Sequence, residues 1–208
     1  MYNLIIVIPC YNEINLLSLI NKIKKYNIII VDDGSKIPIK NKIVKNKNIK
    51  IIRNKSNKGY EFSLIKGLKK AVKISRYALS MDADGEHLES NIKNFYNYAK
   101  NNNVDILIGA RSRMNRFSEK ILSLFFYFKY NIKDPLSGFK IYKSKELSSI
   151  FKESKPKEDF LVDVTKAFIK KKLNIKNYNI KSSKIPLRSS TMTSLKTNLK
   201  ILSLVKYL

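Results

Sequence analysis

Cysteine is nearly absent from this chain of 208 residues: Cys10 stands alone. That excludes an internal disulfide framework and suits a reducing compartment. Histidine is equally rare, with His87 the single instance. Long apolar runs are missing too. The best candidate, Ile121 to Phe128, stops at Lys129, well short of the ~18–20 residues of a membrane span. No basic segment or small-residue cleavage site precedes Leu4–Ile8, so the start reads as a strand and not as a signal peptide. Neither internal repeats nor a linker interrupts the sequence, and one domain covering 1–208 is expected, large enough for a real core. Acidic residues are scarce: 16 Asp and Glu face 42 Lys and Arg, a formal net charge of +26. Such an excess invites nucleic acid, an anionic membrane or a phosphorylated substrate. The lysines are spread along the chain and do not cluster in a tail. They occur together with abundant Asn and Ile, the composition an AT-rich genome produces.

What is present is a regular alternation. Leu4–Ile8 reads as a strand, Glu13–Lys25 as a helix with Ile14, Leu16, Leu17, Ile20 and Ile23 at helical spacing, and Ile28–Val31 and Ile49–Ile52 as strands. Tyr60–Ser75 reads as a helix, Tyr77–Met81 as a strand, His87–Lys100 as a helix and Val104–Ile108 as a strand. This pattern predicts a parallel sheet with helices on both faces, whose ligands bind at the carboxyl ends of the strands. The second half is less regular. Helices are expected over Phe117–Tyr130 and Asp159–Lys172, strands over Gly138–Tyr142 and Asn177–Ile185. Ser194–Leu208 places Leu195, Leu199, Leu202 and Val205 on one face.

Polar residues collect where those strands end. Asp82 and Asp84 flank Ala83 after an apolar run, and residues two apart in extended chain share a face. Two adjacent carboxylates repel, and a cation relieves them. Hard oxygen ligands at this spacing suit Mg²⁺ or Mn²⁺ bridging to phosphate oxygens. The other strand ends carry Pro9-Cys10-Tyr11-Asn12-Glu13, Asp32-Asp33-Gly34-Ser35, Asn54 with Asn57-Lys58-Gly59, and Gly109-Ala110-Arg111.

This order and spacing resembles the family 2 glycosyltransferases over nearly the whole chain. The resemblance implies the α/β GT-A fold, a mostly parallel central sheet flanked by helices. It is closest to the dolichol- and polyprenol-phosphate sugar synthase branch. That likeness rests on Asp82-Ala83-Asp84-Gly85-Glu86-His87, on Asp134-Pro135-Leu136-Ser137-Gly138-Phe139-Lys140, and on the apolar tail after Arg188. It implies inverting transfer of a hexose from a nucleotide-sugar to a lipid phosphate, assisted by Mg or Mn. Pro9, Tyr11 and Glu13 would wall the nucleoside pocket, with Asp33 accepting a hydrogen bond from the base and Lys58 on the donor side. Asp82 would face the ribose or the metal. Asp84 would bind the metal with Glu86, a position usually Gln in the family. Arg111 would clamp the diphosphate or the acceptor phosphate. Ser137 and Gly138 would line the acceptor side, Gly138 permitting close backbone approach. Arg188 would meet the lipid phosphate, although the family's Arg-x-x-Gly-x-Ser-Lys pattern is not kept after it. Glu61 and Phe62 stand where many relatives have small residues, which would narrow the donor pocket.

A hydroxyl acceptor would need a base, and Glu158 and Asp159 are the candidates; a lipid phosphate would need none. Asp159 also reads as a helix N-cap, and His87 as a loop-holding or capping residue. The resemblance and composition together imply a cytoplasmic enzyme, peripheral on the cytoplasmic face of a membrane. Its anionic surface, and a membrane-protein partner, are the expected associates. A glycosyltransferase acting on a glycan hydroxyl is the alternative enzyme. A basic nucleic-acid-binding protein is the alternative of another class; it explains the charge but not the ordered strand-end motifs, and nucleic acid is not the expected partner.

Overall fold

The computed structural model describes residues 1–43, 46–85, 88–114, 116–153, 159–181 and 195–207. In chain order it contains β1 (Tyr2–Cys10), α1 (Leu16–Ile23), β2 (Asn27–Asp32), β3 (Ile49–Arg53), α2 (Tyr60–Ala71), β4 (Ser75–Ser80) and α3 (Ser90–Asn101). β5 (Ile106–Arg111), α4 (Phe117–Tyr130), β6 (Lys140–Lys143), α5 (Ser144–Glu153), α6 (Phe160–Lys170), β7 (Ile175–Ile180) and α7 (Leu195–Ser203) follow. The strands form one seven-stranded sheet in the order β3-β2-β1-β4-β6-β5-β7.

Alternation along each strand divides the core into two layers. Ile5 and Val7 of β1 join Ile29, Val31, Ala78, Ile106 and Ile108 on one face, under α2, α4, α5, α6 and α7. Leu4, Ile6 and Ile8 join Ile28, Ile30, Leu79 and Leu107 on the other, against α1 and α3. β1 is buried on both faces from Leu4 to Cys10, which is why it reads as an unbroken apolar run.

One strand departs from the expected parallel arrangement. β6 runs antiparallel to both β4 and β5, with Lys140 opposite Ser80 and Ile108. Its first residue therefore lies at the carboxyl ends of its neighbours. The segment Asp134–Phe139, which leads into β6, is thereby delivered to the ligand-binding end of the sheet. A parallel β6 would have carried it to the opposite end.

Boundaries also shift. The helix expected to reach Ser75 stops at Ala71, and Ser75 already belongs to β4. The strand expected from Gly138 begins at Lys140. Helix α5 is an element that the sequence pattern does not mark, because its buried apolar residues Leu147 and Ile150 are few and it follows β6 with no intervening loop. The extended stretch at 177–185 is β7 as far as Ile180. The tail forms α7 and a 3₁₀ turn, Leu204–Tyr207.

Candidate active site

At the carboxyl ends of β1 and β4 lies a cleft of about 550 Å³. Its first wall is the end of β1: Pro9, Cys10, Tyr11 and Glu13. Its floor is Asp82, Ala83 and Asp84 after β4. Gly138 and Leu136 come from the segment before β6, and Tyr60 from the start of α2. Arg111, Arg116 and Glu119 form a charged wall. Asp159 and Leu161 of α6, with Thr197, Lys200 and Ile201 of α7, close the remaining side. Eight of the residues expected from the sequence meet here: Pro9, Tyr11, Glu13, Asp82, Asp84, Arg111, Gly138 and Asp159. Glu86, His87, Glu158 and Arg188 lie outside the described residues.

The floor is held tightly. Tyr60 donates its hydroxyl to Asp82 Oδ1 at 2.6 Å. A Cβ on Gly138 would fall on the Asp82 carboxylate, 2.6 Å from Oδ1, so glycine there is a matter of space. Asn15 reaches across to donate to the backbone oxygen of Asp84 at 3.0 Å. Burial pushes the Cys10 thiol up to about 11, so the single cysteine stays protonated at neutral pH and is a poor nucleophile.

Beside the cleft, the Asp32-Asp33-Gly34-Ser35 turn is built from buried carboxylates. Asp32 accepts from Ser35 N at 2.9 Å, Ile39 N at 3.2 Å and the Arg53 guanidinium at 2.5 Å. Burial alone would raise its pKa, but these hydrogen bonds outweigh burial and hold it below the usual carboxylate range. Asp33 accepts from Asn54 Nδ2 at 2.7 Å, Lys58 N at 2.9 Å and Gly59 N at 2.8 Å. Asp33 and Lys58 are thus not on the cleft wall: the carboxylate expected to receive the base ties down the 54–59 loop, and Lys58 takes part through its backbone. Ser137 is also off the wall. It is fully buried, and its hydroxyl accepts from Phe139 N at 3.2 Å.

Arg111 is committed within the protein. Its Nε and Nη2 donate to the two oxygens of buried Asp134 at 2.8 and 3.1 Å, and Nη2 reaches Glu119 at 3.3 Å. These carboxylates overcome burial and raise the guanidinium's pKa further. The fork expected for phosphate already grips a carboxylate. In the sequence Asp134 stands out only as the first residue of the 134–140 motif. Asp159 is the N-cap of α6: its Oδ1 accepts from Leu161 N at 3.1 Å and Val162 N at 3.2 Å. Both readings of that residue meet in one place, since the cap also lines the cleft.

Tyr60, Arg116, Glu119, Leu136, Thr197, Lys200 and Ile201 also line the cleft without belonging to the site expected from the sequence. For Tyr60 a signal existed, its place at the first turn of a helix after Asn57-Lys58-Gly59 at a strand end. Arg116 and Glu119 are one turn apart and only 3.4 Å from each other, a local pair no motif marks. The α7 residues come from the tail, and nothing in their spacing says which strand end they will face. Beneath the cleft, Lys140 is wholly buried and donates to Pro135 O at 2.5 Å, Leu161 O at 3.1 Å and Thr165 Oγ1 at 3.4 Å. It joins the segment before β6 to α6.

Similarity to known proteins follows the same outline. The family described as "Glycosyl transferase family 2" matches residues 5–151. A UDP-N-acetylglucosamine–dolichyl-phosphate N-acetylglucosaminyltransferase of Methanococcus voltae is 27% identical over 212 residues, spanning 85% of this chain and 84% of that protein. Among solved structures, S. aureus TarS 1–349 in complex with UDP-GlcNAc superposes with a TM-score of 0.63 at 18% identity. That alignment covers 99% of this chain but 66% of TarS, just under two thirds of its length. Glucosyl-3-phosphoglycerate synthase from Mycobacterium tuberculosis, solved with Mn²⁺, UDP and phosphoglyceric acid, superposes at 0.70 with 13% identity, over 98% of this chain and 78% of that one. At such identities the two structures speak for the fold, which is GT-A. With the family match covering well over half its length, this chain belongs to glycosyltransferase family 2.

Proposed function

We propose that the enzyme transfers a hexose from a nucleotide-sugar to a polyprenyl or dolichyl phosphate at a membrane surface, with inversion at the anomeric carbon. The observation that carries this reading is the convergence of Asp82 and Asp84 on the floor of a single cleft. The M. voltae relative, named for a dolichyl-phosphate acceptor, supports the choice of a lipid phosphate.

In this reading the β1 wall of Pro9, Tyr11 and Glu13 receives the nucleoside. Asp33 and the backbone of Lys58 and Gly59 shape the adjoining loop. The donor set fits a hard divalent cation, Mg²⁺ or Mn²⁺: Asp82 and Asp84 supply carboxylate oxygens, and the diphosphate would complete the shell. Among the described residues no third His, Cys, Asp or Glu joins them, and Glu86 lies outside those residues. A bound cation would offset the charge on the departing diphosphate. Tyr60 and Gly138 hold Asp82 in place, while Asn15 steadies the backbone at Asp84. The acceptor's phosphate oxygen attacks the anomeric carbon from the face opposite the diphosphate. The bond to the diphosphate oxygen then breaks, and no proton need be removed. Asp159 thus serves as a helix cap and not as a base.

Membrane attachment would be peripheral. Phe117, Leu124, Phe125 and Phe128 of α4 and Leu195 and Leu199 of α7 are exposed. No described helix is long and apolar enough to cross a membrane. The cytoplasmic face, where nucleotide-sugars are available to a peripheral enzyme, is the side we assign.

The test is a panel of nucleotide-sugars with Mn²⁺ or Mg²⁺, with and without polyprenyl phosphate. The expected product is a sugar linked to the lipid through a phosphodiester, formed only when the lipid phosphate is present. Transfer to glycan hydroxyls alone would overturn the acceptor assignment.

A further inference from the structure

We propose that Lys200 of α7 is, among the described residues, one that recognises the acceptor's phosphate monoester, with Glu61 as the counterion it leaves when that phosphate arrives. This deepens the reading of the cleft as a phosphate-accepting transferase site and rests on it.

Position is the first reason. Thr197, Lys200 and Ile201 are spaced as one face of a helix, and all three line the cleft. The helix is fastened there. Ile201 and Leu204 are buried in the core, and Ser118 of α4 donates to Asn198 Oδ1 at 2.6 Å. Lys200 is therefore presented to the site by a fixed element.

The second reason is how weakly its charge is matched. Lys200 Nζ is 3.8 Å from Glu61 Oε1, and the two side chains are 54% and 35% exposed. A solvated pair at that distance contributes little to stability. Arg111 is the contrast, 11% exposed and gripping a buried Asp134 through two donors. An incoming anion can take Lys200 without dismantling the fold, whereas taking Arg111 would strand Asp134.

Glu61 explains why the lysine waits there. Its other oxygen accepts from Phe160 N at 2.9 Å, at the start of α6 beside Asp159. The carboxylate is thus anchored to α6 and holds Lys200 near the cleft without enclosing it. Burial and the nearby Asp159 raise the Glu61 pKa, consistent with a spot where negative charge is crowded and a cation is needed. A phosphate monoester brings up to two charges and three acceptor oxygens, and so competes well for an ammonium held at 3.8 Å.

The ligand could be a lipid headgroup or a small soluble phosphate, and the test separates them. Initial rates are measured with a short-chain prenyl phosphate and with glycerol phosphate, alongside slow donor hydrolysis by water, for wild type, Lys200→Met, Lys200→Arg and Glu61→Gln. Binding of each phosphate in the presence of UDP is followed by calorimetry. Lys200→Met should raise the acceptor KM and Kd by about 10–100-fold, the worth of a charged hydrogen bond. The change in acceptor KM and Kd should exceed any change in donor KM. Lys200→Arg should restore most of the affinity. Glu61→Gln, which can still accept from Phe160, should lower the acceptor KM, an opposite sign that a merely structural role would not give. A response confined to the prenyl phosphate would identify a lipid headgroup, and one confined to glycerol phosphate a soluble acceptor. Unchanged phosphate affinity in Lys200→Met would overturn the proposal even where wild type turns the acceptor over. Lys200-dependent binding without any transfer would leave this site standing and remove the proposed reaction.

Discussion

The carboxylate of Asp82 occupies the space that a side chain at position 138 would need. The two residues are far apart in sequence and are brought together by the antiparallel pairing of β6 with β4, in which Ser80 faces Lys140. Ser80 strengthens the contact by donating its hydroxyl to Gly138 O at 2.7 Å. With Tyr60 bonded to Asp82 Oδ1, the carboxylate is fixed from both sides.

Gly138→Ala should therefore damage catalysis more than folding. The added methyl would sit 2.6 Å from Asp82 Oδ1, so the carboxylate must move. Misplacement of about 1 Å can cost on the order of 10²-fold in rate. Steady-state kinetics beside a thermal melt would check this; wild-type turnover in the alanine variant would contradict the geometry.

Asp84→Asn removes one of the two carboxylates assigned to the cation. Turnover should vanish while the melting transition survives, and excess chelator should silence the wild-type enzyme with recovery on adding Mn²⁺ or Mg²⁺. Full activity in the variant or in chelator would sink the metal assignment.

Asp159 can be tested by two substitutions with different consequences. Asparagine can still cap α6, whereas alanine should cost about 1 kcal/mol of stability. With a phosphate acceptor, Asp159→Asn should keep appreciable activity. A drop of about 10²–10⁴-fold, the worth of a general base, together with a glycosidic product, would identify a hydroxyl acceptor.

Lys140 carries a pH signature. Burial pushes its ammonium down from 10.5 to about 7, against the attraction of Asp134 and Asp159. Between those values the unfolded chain holds a proton that the folded chain has released, so stability rises with pH across that window. Below pH 7 both states are protonated and the gain is lost. Urea midpoints for wild type and Lys140→Met, taken at intervals from pH 6 to 10, should diverge in favour of wild type as pH increases. Parallel curves would mean that Lys140 does not titrate there.

Membrane attachment predicts a response to both charge and apolar surface. Phe128 is 78% exposed and Leu199 66%, so Phe128→Glu and Leu199→Glu should fold normally. Wild type should sediment with liposomes in proportion to anionic lipid and less in high salt, since each surface lysine contributes on the order of 1 kcal/mol. The two variants should bind less. Equal recovery in the supernatant under every lipid condition would assign the acceptor's delivery to a membrane-protein partner.

Legible in the sequence were the alternation of strands and helices, helices on both faces of a mostly parallel sheet, and the polar residues at the strand ends. Those properties depend on local periodicity: β1 must be buried on both faces because Leu4–Ile8 is apolar throughout. The extended-chain repeat does not describe Asp82 and Asp84, because β4 ends at Ser80 and residues 83–85 bend; it is that bend which carries both to the cleft floor. The family resemblance read from those motifs holds. Relationships between distant segments depend on tertiary packing. The reversal of β6 is one, since four residues of strand read alike in either direction, and it alone sets Gly138 against Asp82. The engagement of Arg111 by Asp134, and of Asp33 by the 54–59 loop, is another: a charged side chain's partner is a matter of three-dimensional neighbours, and a motif names only its chemistry. The tail shows both sides at once. Its helical spacing was legible, but whether each residue packs or faces outward follows from docking on α4, which buries Ile201 and Leu204, exposes Leu195 and Leu199, and turns Lys200 toward the cleft.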